Sequence, residues 1–100
     1  MSIQLKAIQA QALPILKKYK IKRAGFFGSV LREDFKVGSS DIDILVELPQ
    51  EVHGFDYVNL KVNLQEELEQ SFGRPVDIVE YHLIKPSLKE YILPTQVQIL

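Results

Sequence analysis

Residues 41–48, Asp-Ile-Asp-Ile-Leu-Val-Glu-Leu, carry the strongest structural signal in this chain, because apolar side chains recur there at every second position. Successive side chains of a β-strand point to opposite faces, so this alternation predicts a strand with a buried face. That face carries four aliphatic residues, Ile42, Ile44, Val46 and Leu48. Pro49 ends the strand. The opposite face then presents Asp41 and Asp43 side by side.

Two aspartates on one face of a strand need an explanation, because aspartate is depleted in strands and neighbouring carboxylates repel each other. Positions i and i+2 are separated by roughly 6.6 Å of strand rise, so the Asp41 and Asp43 carboxylates can lean together. They could then share one hard cation, or hold two cations about 3.5 to 4 Å apart. An isolated Asp-x-Asp is equally compatible with two solvent-facing residues of an edge strand.

The neighbouring sequence favours the metal site. Residues 23–27, Arg-Ala-Gly-Phe-Phe, predict a short buried strand that runs into Gly28-Ser29, and a short helix or turn is predicted over residues 30–35. Backbone N–H groups at the start of a helix favour phosphate oxygens, and glycine lets the backbone approach a ligand closely. A phosphate-binding turn beside a metal pair is typical of phosphoryl or nucleotidyl transfer.

Two longer segments have helical periodicity. Residues 5–19 predict an amphipathic helix that Pro14 either kinks or restarts. Residues 57–72 predict a second helix, with Asp56 as its N-cap and Gly73 as its C-cap. The apolar residues of both segments recur on one side, so each helix is expected to pack on a sheet.

A third strand is predicted over residues 76–81 and a last short helix over residues 86–92, whereas the remaining tail shows no pattern. This order of elements predicts an α+β fold in which a small mixed β-sheet is flanked by helices. One hundred residues with 46% hydrophobic content predict a single domain, residues 1–100.

The composition argues against several classes of protein. Twelve Lys and Arg against thirteen Asp and Glu give a formal charge of -1, so strong direct binding to a nucleic-acid backbone is not expected. The chain has no cysteine, which excludes disulfides and thiolate metal sites. No signal peptide or membrane-length apolar run is found, and a cytoplasmic protein without membrane association is therefore expected.

The segment GFFGSVLREDFKVGSSDIDILVELP, residues 25–49, resembles the signature of minimal nucleotidyltransferases in the DNA polymerase β-like superfamily. In that family a Gly-Ser pair precedes Asp-x-Asp on a strand, and a third carboxylate follows on a later strand. Asp77 matches this third carboxylate. The resemblance covers residues 15–91 and implies a nucleotidyltransferase fold similar to the palm of polymerase β.

The resemblance also implies roles for the site residues. Asp41 and Asp43 would ligate two Mg²⁺ ions, and Asp77 would complete the second metal site and take the proton of the acceptor hydroxyl. Gly28 and Ser29 would hold the β- and γ-phosphates of a nucleoside triphosphate, with ATP expected.

Arg32 stands where this family often has an arginine near the phosphates, and it would neutralise charge on the leaving pyrophosphate, although a solvated surface arginine explains it equally well. The chain departs from the family pattern in one place. Eleven residues, 30–40, separate Ser29 from Asp41, one more than usual. A wider turn around Gly38 would absorb the extra residue, but it puts the exact phosphate position in question.

Short nucleotidyltransferases of this kind resemble the antitoxin of a two-component pair, whose partner is a helical HEPN toxin. The resemblance implies transfer of AMP, or another nucleoside monophosphate, to a tyrosine hydroxyl of that toxin, in a homo- or hetero-oligomer. Two other functions stay open. The protein could neutralise its partner by contact alone, or it could be a metal-dependent phosphoryl hydrolase, which would release phosphate rather than pyrophosphate.

Overall fold

The computed structural model describes residues 3–31 and 41–100. Helix α1, Ile3–Lys18, leads through a short turn into strand β1, Arg23–Phe27. One turn of 3-10 helix, Gly28–Leu31, follows β1 directly. This turn begins two residues before segment 30–35, for which a short helix or turn was predicted, and overlaps it at residues 30 and 31. Residues 32–35 lie outside the described residues.

The second half of the chain begins with strand β2, Ile42–Glu47, and continues into helix α2, Phe55–Phe72. Strand β3, Val76–Glu80, is followed by a 3-10 turn, Tyr81–Leu83, and by helix α3, Pro86–Thr95. In residues 3–31 and 41–100, no helix combines the length and the apolar character needed to cross a membrane.

The strands form one mixed sheet in the order β3-β2-β1-β4, where β4 is Val97–Gln98. β1 is antiparallel to both β2 and β4, and β2 is parallel to β3. A parallel pair needs a crossover connection, which α2 supplies. The predicted α+β fold, a small mixed sheet flanked by helices, is confirmed, but the tail that showed no pattern forms a fourth strand. Two residues are too few for an alternation to be recognised.

The main core lies between one face of the sheet and helices α1 and α2. The helices bury residues at the predicted helical spacing, and the strands bury alternate residues. Its members with no exposed surface are Ala12, Leu16, Ala24, Phe26, Ile42, Ile44, Val46, Leu64 and Leu68.

A second, smaller cluster covers part of the other sheet face. It contains Leu45, Tyr81 and Ile84, with Phe27 and Ile92 packed at its edge. The strand β2 is therefore buried on both faces around Leu45, because the turn after β3 and helix α3 fold back over it. Because polar residues recur on this side of β2 in the sequence, we did not predict that a second cluster would cover it.

Two details of the helices differ from the prediction. α1 runs unbroken with Pro14 inside it, although proline removes one backbone hydrogen bond. α2 begins at Phe55, so its N-cap is Gly54 and the prediction of Asp56 is wrong; Asp56 lies in the first turn, where its charge favours the helix dipole. The predicted C-cap is confirmed, since Gly73 is left-handed and its N–H bonds to the Glu69 carbonyl.

Candidate active site

The register of the central strands brings two of the three predicted carboxylates, those of Asp43 and Asp77, to one end of the sheet. Asp43 is paired with Phe27 of β1 on one side and with Asp77 of β3 on the other. Paired residues point to the same face, so Asp43 and Asp77 share the face opposite the main core. Asp41 lies just before β2 and is exposed, as is Asp77, whereas Asp43 is half-buried. We call this the aspartate end.

Gly28 lies directly against Asp43. Its φ is +74°, in the left-handed region, and a Cβ added there would lie 2.5 Å from Asp43 Oδ2. Any side chain at position 28 would strain the backbone and push the carboxylate aside. The predicted phosphate-binding glycine and the predicted metal ligand are therefore in contact.

The remaining predicted site residues are placed only in part. The backbone of Ser29 belongs to the 3-10 turn that starts at Gly28. Arg32 lies outside the described residues, as does the turn predicted around Gly38. The phosphate-binding role of Ser29, the role of Arg32 and the consequence of the extra residue in 30–40 therefore stay predictions.

The residues at the aspartate end fit a divalent cation by their chemistry. Carboxylate oxygens are the ligands that Mg²⁺ prefers, and the backbone of Gly28 lies beside the Asp43 carboxylate. Within the described parts of the chain, however, no group of three or more His, Cys, Asp or Glu residues is gathered closely enough to hold a metal ion. The backbone register places Asp43 opposite Asp77. Their two negative carboxylates repel each other, so they would approach more closely only with a cation between them.

The opposite end of the same strands contains a buried acid that the sequence reasoning missed. Glu80, the last residue of β3, is 2% exposed and accepts a hydrogen bond from the Tyr57 hydroxyl. Lys61 Nζ lies 3.3 Å from Glu80 Oε2, and His82 Nδ1 lies 3.8 Å from Oε1. The hydrogen bond to Glu80, with burial second, raises the pKa of Tyr57. The signal was present in the strand alternation, which puts Glu80 on the core side with Ile78.

A second set of paired charges adjoins Glu80. Arg23 Nη2 lies 3.4 Å from Glu47 Oε1, and its guanidinium lies 3.8 Å from the centre of the Tyr81 ring. Burial raises the pKa of Tyr81, whose hydroxyl donates a 2.7 Å hydrogen bond to Gln96 Oε1. Together with Glu80 and its partners, these residues form what we call the glutamate end.

A cavity of about 700 Å³ opens at the glutamate end, with Arg23, Glu47, Glu80 and Tyr81 among its lining residues. Of the predicted site residues that the structure describes, none lines it. In this cavity Arg23 contacts Glu47, and Glu80 contacts His82, as expected of groups that stabilise the fold. The acids and the glycine turn that the sequence predicts for phosphoryl or nucleotidyl transfer lie instead at the aspartate end.

Comparison with known proteins identifies the family of this chain. The model of the nucleotidyltransferase domain family matches residues 10–94. A relative from Methanocaldococcus jannaschii, named a putative protein adenylyltransferase, is 41% identical over 98 residues, which cover 98% of this chain and 100% of the relative.

Solved structures show the same fold. A putative minimal nucleotidyltransferase is similar with a TM-score of 0.75 at 28% identity, covering 93% of this chain and 90% of that chain. A complex of a tri-AMPylated Shewanella oneidensis HEPN toxin with its MNT antitoxin includes a chain with a TM-score of 0.69 at 19% identity, covering 98% of this chain and 72% of that chain. The family match spans Gly28, Asp43 and Asp77, and the chain belongs to the nucleotidyltransferase domain family.

Proposed function

We propose that this nucleotidyltransferase is Mg²⁺-dependent and transfers AMP from ATP to a tyrosine hydroxyl of a HEPN toxin, and that it thereby acts as an antitoxin. The observation that carries the proposal is the arrangement at the aspartate end. Asp43 is in register with Asp77, and Gly28 lies against the Asp43 carboxylate. Two acids in register at the open end of the sheet, with Asp41 two residues before Asp43 in the sequence and a glycine turn beside them, suit a metal-bound triphosphate.

Each residue has a distinct task in the proposed reaction. Asp41 and Asp43 hold the metal ions, and the backbone at Gly28 and Ser29 donates hydrogen bonds to the β- and γ-phosphates. Two bound Mg²⁺ ions would neutralise phosphate charge and lower the pKa of the acceptor hydroxyl. Asp77 accepts the hydroxyl proton, the tyrosine oxygen bonds to the α-phosphorus, and the bond to pyrophosphate breaks.

The acceptor is proposed from the exposure of the site and from the relatives. Asp41 and Asp77 are exposed, so a protein side chain can approach them without entering a cleft. The relative with 41% identity is named as a protein adenylyltransferase. The antitoxin of similar fold is in complex with an AMPylated toxin. Arg32 is proposed to stabilise the charge on pyrophosphate as it leaves.

A label-transfer assay tests this function. The protein would be incubated with Mg²⁺, ATP labelled at the α-phosphate, and the HEPN protein encoded beside its gene. We expect label on the partner and pyrophosphate in solution, with a loss of about three orders of magnitude or more in Asp43→Asn. A folded wild-type protein that leaves the partner unlabelled, or that releases orthophosphate, would contradict the proposal.

The alternative is neutralisation by contact alone, and the extra residue in segment 30–40 is the observation that favours it. The double variant Asp41→Ala/Asp43→Ala separates the two functions. If transfer is the function, growth in the presence of the toxin is lost although the complex still forms. If contact is sufficient, the double variant protects as well as wild type.

A further inference from the structure

The first residue of β3 is held by side chains on its outer edge. β3 is an edge strand of the sheet, so only one side of β3 is paired with another strand, β2. On the other side, the Val76 N–H donates to Glu69 Oε2 at 3.0 Å and the Val76 carbonyl accepts from Gln65 Nε2 at 3.0 Å. Two side chains of α2 thus replace the hydrogen bonds that a neighbouring strand would make.

The geometry of α2 explains why these two side chains reach β3. Gln65 and Glu69 are four residues apart and therefore lie on the same side of the helix. Each follows a fully buried leucine, Leu64 or Leu68, that fixes α2 on the sheet. The Glu69 carbonyl also accepts the Gly73 N–H at 2.8 Å, which fixes the turn between α2 and β3.

We propose that Gln65 and Glu69 are positioning residues for Asp77, the residue that follows Val76. This inference rests on the proposed function, in which Asp77 completes the metal site and takes the proton. An edge strand without outer hydrogen bonds frays at its end, and a small displacement of a reacting group has a large effect on rate. Gln65 and Glu69 fix the first peptide groups of β3, and so fix Asp77 beside its register partner Asp43.

The hydrogen bonds can be tested without any reaction. Amide hydrogen exchange of the free protein, resolved by NMR, would be compared in wild type, Glu69→Ala and Glu69→Gln. We expect exchange at Val76 and Asp77 to be about two- to tenfold faster in Glu69→Ala, because one hydrogen bond is lost. Glu69→Gln should match wild type, since its amide oxygen still accepts from Val76. Unchanged exchange in Glu69→Ala would overturn the proposal.

The functional consequence is tested by the Mg²⁺ dependence of AMP transfer. We expect Glu69→Ala to need at least several-fold more Mg²⁺ for half-maximal rate and to lose about tenfold or more in kcat. Glu69→Gln should stay within about twofold of wild type. Glu66→Ala, which removes an exposed acid from the same helix, is the matched control and should leave both quantities unchanged.

Failure of this inference can be told apart from failure of the proposed function. If Asp77→Asn is inactive while Glu69→Ala has a wild-type Mg²⁺ dependence, Asp77 keeps its role and the positioning role is wrong. If Asp77→Asn has wild-type activity, the assignment of Asp77 in the proposed function is itself wrong. Glu69→Gln keeps the hydrogen bond from Val76 and Glu69→Ala does not. An equal loss of kcat in the two variants would therefore also overturn the positioning role.

Discussion

The two ends of the parallel β2–β3 pair hold carboxylates in opposite settings. At the aspartate end, Asp43 and Asp77 are side by side in register, and Asp77 is exposed. At the glutamate end, Glu80 is enclosed by the Tyr57 hydroxyl and the Lys61 ammonium group. An acid enclosed by donors stabilises the fold, whereas neighbouring acids at the open end of a sheet favour a bound cation. Under the proposed function, one end of these strands is structural and the other carries the reaction.

Adding a side chain beside Asp43 is expected to reduce activity strongly. In Gly28→Ala the new Cβ would meet Asp43 Oδ2, and we expect AMP transfer to fall about a hundredfold or more as the carboxylate is displaced. The matched control is Gly54→Ala, because Gly54 also has a positive φ, +61°, but nothing lies within 4 Å of its added Cβ. Similar activities in the two variants would show that the contact at Gly28 is unimportant.

A smaller effect, on stability, is expected at the glutamate end. Removing the buried carboxylate in Glu80→Ala leaves the Tyr57 hydroxyl and Lys61 without their acceptor, at a cost of about 1 to 3 kcal/mol in unfolding free energy. Urea denaturation measures this loss, and Glu51→Ala in an exposed turn is the control. The folded fraction of Glu80→Ala should keep its transfer activity. If folded Glu80→Ala loses as much transfer activity as Asp43→Asn, the distinction between the two ends is wrong.

The smallest effect is a change in stability at alkaline pH. The pKa of Tyr57 is raised above its ordinary value of about 10, because its hydroxyl donates to Glu80. The neutral hydroxyl is the form that the fold favours, so this contribution is complete below about pH 10 and is lost as the pH rises through the raised pKa. Between pH 9 and pH 12, the melting temperature of Tyr57→Phe should fall less steeply with pH than that of wild type. Identical slopes would mean that Glu80 does not hold the proton on Tyr57.

The features that could be predicted from the sequence are those with a local cause. Alternation over residues 41–48 predicted β2 and the shared face of the aspartates, and Gly73 marked the end of α2 because only a left-handed residue fits there. The residues around Gly28 predicted a phosphate-binding turn beside the aspartate pair, and the structure adds the close approach of Gly28 to Asp43.

The features that were missed depend on contacts between distant segments. Leu45 is buried on the second face of β2 because α3 returns over it, and nothing local to β2 encodes that return. β4 exists because its two residues pair with Gly25 and Phe26, far away in sequence. The hydrogen bond from Val76 to Glu69 likewise requires α2 and β3 to be packed together before it can form.

The most direct test compares two acids on one strand. AMP transfer and pyrophosphate release would be measured for Asp77→Asn and Glu80→Gln, with thermal unfolding to confirm that both are folded. We predict a loss of two orders of magnitude or more for Asp77→Asn and a change within about threefold for Glu80→Gln. An active Asp77→Asn beside an inactive, folded Glu80→Gln would contradict the account, because it would move the chemistry to the glutamate end.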